Sequence, residues 1–119
     1  MDRFDAEAKV HDYIVYSYLL KALDKDREQL CRTKLARAWT FVADDALAKI
    51  VKRLTFIKNQ LSNHGCRIVL EEVAPDHQVH VMYVQRRYER HCYMLPYVLK
   101  ARCEDAMISL LRDESGSCQ

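Results

Sequence analysis

The sequence predicts a mainly helical α+β domain whose elements run α-α-β-β-α: two long helices, a β-hairpin and a C-terminal helix. Three observations carry this. Only two glycines and two prolines occur among 119 residues, so turns are few and most of the backbone must sit in long regular elements. Apolar residues recur at three- and four-residue spacing over two long stretches, which is the helical period. Between residues 67 and 84 the pattern switches to β-branched and aromatic runs, which suit strands.

The first helix spans about residues 5–30. Val10, Tyr13, Ile14, Ser17, Leu20 and Leu23 stack on one face, while Val15, Tyr16, Tyr18 and Leu19 fill the flanks. A helix apolar over most of its girth is covered on more than one side. Tyr13, Tyr16 and Tyr18 are therefore candidates for a self-association seam, since a tyrosine ring suits a surface that is half apolar and half wet. After Leu23 the chain turns charged through Asp24-Lys25-Asp26-Arg27-Glu28, and the helix projects into water.

Thr33 is the expected N-cap of the second helix, its hydroxyl meeting a free amide of the first turn. The helix continues to about residue 62 on a stripe of Leu35, Trp39, Val42, Ala46, Ile50, Leu54, Ile57 and Leu61. Asp45 and Lys49 stand four apart in the favourable acidic-first order. At roughly 28 residues this helix would be about 42 Å long, long enough to run past the core of one protomer. Gly65 follows Asn63-His64 and can take the left-handed conformation that closes helices.

Arg67-Ile68-Val69-Leu70 and Val79-His80-Val81-Met82-Tyr83-Val84 read as two antiparallel strands joined through Ala74-Pro75-Asp76-His77, where Pro-Asp favours a type I turn. Two strands alone are marginal in water, so they must lie against the helices or pair with another chain. The segment from Gln85 to Met94 is polar and aromatic and has no clear period. Pro96 then suits the first turn of a last helix, whose apolar stripe is Leu99, Cys103, Ala106, Met107 and Leu110. One globular domain over residues 1–112 follows, with a disordered C-terminal tail over 113–119.

Charge is nearly balanced, with 19 basic and 17 acidic residues and a formal net charge of +2, so the whole chain announces no polyanionic partner. The local exception is the cluster Arg86-Arg87-Tyr88-Glu89-Arg90-His91-Cys92-Tyr93, followed by Tyr97, Lys100 and Arg102. Arg86, Arg87, Arg90, Lys100 and Arg102 could pair with nucleic-acid phosphates while Tyr88, Tyr93 and Tyr97 offer stacking surfaces. The plainer alternative is that the tyrosines pack the junction and the arginines pair with Glu71, Glu72 and Glu104.

His80, His91, Cys92 and Cys103 are the residues that could make a metal or thiol site. No C-x-x-C or H-E-x-x-H spacing supports it, and adjacent His91 and Cys92 would point apart in an extended segment. No G-x-G-x-x-G, Walker or protease signature occurs either, so no catalytic residue and no cofactor is expected. The five cysteines, without a signal peptide or a membrane-length apolar run, imply reduced thiols in a cytoplasm. The expected function is thus a non-enzymatic interaction protein forming a homo-oligomer, with a dimer favoured. Nucleic-acid binding is the second expectation.

Leu20 and Leu23 running into Asp24-Lys25-Asp26-Arg27, the long charged second helix through Lys58-Asn59-Gln60-Leu61, and the hairpin leading into Tyr88-Glu89-x-His91-x-Tyr93 and Pro96 resemble the YhjD-like proteins of spore-forming Firmicutes. The likeness spans nearly the whole chain, although the cysteine-rich composition departs from the family. It implies a bacterial cytoplasmic setting with a link to sporulation. It implies no activity, cofactor or catalytic residue.

Overall fold

A computed structural model describes residues 4–116 and has the order α1 (Ala6–Leu30), α2 (Ala36–Asn63), β1 (Cys66–Val73), β2 (Val79–Gln85), β3 (Tyr88–Met94) and α3 (Pro96–Gly116). The mainly helical α+β class holds, with one strand more than expected. The strands form an antiparallel sheet in the order β1-β2-β3. The molecule is flat, 51 × 42 × 19 Å, because it is built of a helical layer on one face of a small sheet.

Asp5 caps α1 by accepting from Ala8 N at 3.1 Å, which satisfies one of the free first-turn amides. Thr33 does not cap α2. Its hydroxyl donates to Leu30 O at 2.8 Å and so closes the end of α1, while α2 begins after Leu35 with no side-chain cap. The two helices form an antiparallel hairpin. Arg27 clamps it by donating Nε to Asp44 Oδ1 at 2.6 Å and Nη2 to Oδ2 at 3.3 Å, and the guanidinium holds the Asp44 carboxyl below its ordinary value. The expected Asp45–Lys49 pair is present at 3.3 Å.

At the other end of α2, Gly65 has φ +72°, a left-handed conformation that a side chain would strain. It reverses the chain from helix into β1. The turn between β1 and β2 is closed by His77 N donating to Ala74 O at 2.8 Å, as the Pro75-Asp76 pair suggests. A register shift between Ile68 and Leu70 marks a bulge in β1, which returns its last residues to the faces they need.

β3 is the element absent from the sequence reading. Its partner register runs from Gln85↔Tyr88 to Val79↔Met94, which leaves a two-residue turn of Arg86 and Arg87 at φ 51° and 73°. Both residues in the left-handed region match the turn type whose twist fits a hairpin, but the residues normally found there are Asn and Gly. That missing signal is why the strand is not legible.

The inward sheet residues Val79, Val81, Tyr83, Cys92 and Met94 are all buried, and they meet Val10, Tyr13, Ile14, Leu54, Ile57, Leu61 and Leu99 in the main core. A second, smaller cluster joins Leu19, Ile50 and Leu110 where the three helices meet. α3 continues to Gly116, past the expected domain end at 112. Of the expected tail, residues 117–119 lie outside the described residues.

Candidate functional site

The self-association residues part company. Tyr13 is buried in the core and its hydroxyl donates to Glu71 Oε2 at 2.6 Å. Burial first, and the carboxylate second, push its phenol far above the ordinary value. It is thereby committed within the protomer. Tyr16 is half-buried between both core clusters with the Arg53 guanidinium 5.8 Å from its ring centre. Tyr18 lines a groove of about 630 Å³ between α1 and α3 with Leu23, Leu99, Cys103 and Met107.

Large apolar side chains are left exposed on β1, β3 and α3 as well as on α2, where they continue a buried stripe. The inward stripe of α2 is buried from Ala43 to Leu61 but continues toward the N-terminus as Val42, Trp39 and Leu35, which are 36%, 46% and 65% exposed. Spacings of three and four residues put Trp39 and Val42 on the same face as Ala46 and Ile50, and Leu35 stands just before the first turn. The sequence pattern signals the stripe; only the packing reveals that Trp39 and Val42 stay exposed while Ala43, beside them, is buried. Phe41 is exposed as well, on another face of the helix.

The Arg/Tyr set does not converge. Arg86 and Arg87 occupy the β2–β3 turn with exposed Tyr88 beside them. Tyr93 stands six residues from Arg87 along an extended strand, a separation of roughly 20 Å. Strand alternation also divides the set between faces. Arg90 shares the inward parity of Cys92 and lines a groove with Phe4, Glu7 and Tyr83, while Tyr93 lies on the outer face. Exposed Tyr97, Lys100 and Arg102 belong to the first turns of α3.

The His/Cys set also divides, as the alternation argument requires. On the outer face, His80 Nδ1 meets Glu72 Oε1, His80 Nε2 meets His91 Nδ1, and His91 Nε2 meets Glu89 Oε2, each at 2.8 Å. A carboxylate only accepts, so Glu72 and Glu89 each hold a proton on the ring nitrogen facing them. Tyr93 stacks on His80 with ring centres 4.5 Å apart. The result is a linear hydrogen-bonded row of side chains across three strands, visible only once the register places His80 diagonally from His91.

Cys92 points to the helical side, 2% exposed. Burial, with Glu7 adding repulsion, pushes its thiol up to about 11. Cys103 is on α3 and donates its thiol to Val15 O at 3.5 Å; burial raises it too. Neither thiol reaches the histidine chain. A different neighbourhood forms around Cys92: its Sγ, a ring nitrogen of His11 and a carboxylate oxygen of Glu7 all lie within 4.8 Å of one another. Sequence reasoning missed this set because Cys92 is far from α1 along the chain; the available signal was the Glu7-x-x-x-His11 spacing, which puts both on one helical face.

No helix among the described residues is long and apolar enough to cross a membrane. A family model described as YhjD protein matches residues 1–115. No curated protein and no solved structure matches the chain.

Proposed function

The chain belongs to the YhjD protein family, and we propose that it is a non-enzymatic, self-associating interaction protein in the cytoplasm of a spore-forming bacterium. The observation that carries this reading is the uncovered start of the α2 stripe. Trp39 and Val42 continue a stripe that is buried further along the helix, and with Leu35 just before the first turn they remain open to solvent in one protomer. Large apolar residues in a continuous row on a helix tip lose contact with water when a second copy lays the same stripe against them. A two-fold pairing is the simplest closed arrangement, because one patch then serves both partners. The Arg27–Asp44 clamp at the same end stiffens the hairpin that presents the stripe, and this lowers the ordering cost of association.

The test is sedimentation across a wide concentration range. Dimer is expected for the unaltered chain, and W39E combined with L35E should leave only monomer with unchanged circular dichroism. Monomer at every concentration of the unaltered chain would overturn the reading.

One observation favours nucleic-acid binding as a second reading. Arg86 and Arg87 hold left-handed conformations that suit Asn-Gly, so the cations sit at the exposed turn at a conformational cost. Binding to duplex DNA, single-stranded DNA or RNA that weakens steeply with salt, and disappears in R86N/R87G, would establish it. No binding at low salt would remove it.

A further inference from the structure

We propose that Glu7, His11 and Cys92 form a binding site for a borderline-soft divalent cation, zinc by the chemistry of its donors. Glu7 and His11 are one helical turn apart on α1, and β3 brings the Cys92 sulfur beneath them, with the three donor atoms within 4.8 Å of one another. Zinc bonds of about 2.3 Å to sulfur and 2.0–2.2 Å to nitrogen and oxygen place tetrahedral donors roughly 3.3–3.8 Å apart. Donors no more than 4.8 Å apart therefore need to close by at most about 1–1.5 Å. Glu7 is exposed, and neither its side chain nor that of His11 is held by a hydrogen bond to another described residue, so both are free to rotate toward an ion.

The donor types are specific. A thiolate with an imidazole selects zinc-like ions over magnesium and calcium, which take oxygen ligands. The charges also balance: a doubly positive ion with one thiolate, one carboxylate and a neutral imidazole is neutral overall, which limits the cost of placing it beside a buried sulfur. On binding, the Cys92 S–H bond breaks, its proton leaves to solvent and a sulfur–metal bond forms. Glu7 also lines a groove with Asp5, Tyr83 and Arg90, so its carboxylate is reachable from solvent. The His80–His91 pair on the opposite sheet face is a separate feature: its nitrogens are occupied by one another and by Glu72 and Glu89.

This inference stands apart from self-association. Cobalt(II) titrated into the reduced full-length chain should produce one saturable thiolate-to-cobalt charge-transfer band, which zinc then displaces. C92S should abolish the band. H11A and E7Q, which alter half-buried or exposed positions and leave the core intact, should each weaken binding roughly tenfold or more. H80A/H91A should leave it unchanged. Zinc should raise the thermal midpoint of the unaltered chain and not that of H11A. Absence of the band at millimolar cobalt, or a band that survives both C92S and H11A, would overturn the site.

Discussion

Cys92 is an ordinary small hydrophobe in composition and an unusual one in place. Nearly full burial and the nearby Glu7 carboxylate push its thiol from 9.0 to about 11, and burial raises Tyr83, Cys66 and Cys103 in the same direction. Above pH 9 the unfolded chain has released the Cys92 proton while the folded chain still holds it. The unfolded state then binds fewer protons, so stability falls as pH rises. The contribution is fully present below pH 9 and lost as pH passes about 11. Urea midpoints should decline over that window. C92A should start lower at neutral pH but decline less; an identical slope in the two proteins would refute the assignment. Arg86 and Arg87 carry the opposite kind of strain, in the backbone. Replacing them by Asn and Gly supplies the residues that the left-handed positions favour, and R86N/R87G should gain roughly 1–2 kcal/mol in chemical denaturation.

The elements themselves differ in how their ends are fixed. α1 is closed by Asp5 at one end and Thr33 at the other. α2 has no side-chain cap at its start and relies on Gly65 to stop it. A Cβ built at Gly65 meets no atom within 4 Å, so a substitution there tests backbone strain without a steric clash. G65A should destabilise by about 1–2 kcal/mol, and G65N by less, because Asn tolerates the left-handed region better. Equal losses would place the cause outside the backbone. The helices, the first two strands and the Gly65 stop are legible in sequence because each rests on local chemistry: a period, a cap or a turn residue. β3 is not, since Arg-Arg replaces the usual turn pair and edge position leaves Glu89, His91 and Tyr93 on a solvent face that gives no apolar alternation against Arg90 and Tyr88.

For the molecule as a whole, one stripe on α2 has two energetic roles. Ile50 is fully buried at the junction of the three helices, and I50A should cost about 2–5 kcal/mol through lost burial and the cavity left behind. Trp39 lies on the same stripe but is 46% exposed. W39A should change monomer stability far less while weakening dimerisation by tenfold or more, as removal of a central aromatic anchor does. Dilution series monitored by denaturation and sedimentation separate the two. A large monomer destabilisation by W39A would mean that the stripe serves the protomer alone.

Sequence by itself determined the helical period, the hairpin's first two strands, the stop at Gly65 and the inward stripe of α2, because these follow from the local geometry of consecutive residues. It also limited the histidine and cysteine candidates, since alternation separates His91 from Cys92 wherever the chain is extended. Tertiary structure alone decided which apolar rows are covered. It placed Tyr13 inside and left Leu35, Trp39 and Val42 outside, although all four look alike in the pattern. It alone brought His80 to His91 through strand register, and Glu7 and His11 to Cys92 through the packing of α1 on the sheet. Such meetings join residues tens of positions apart, and their partners are set by loop closure and core packing, which no local spacing encodes.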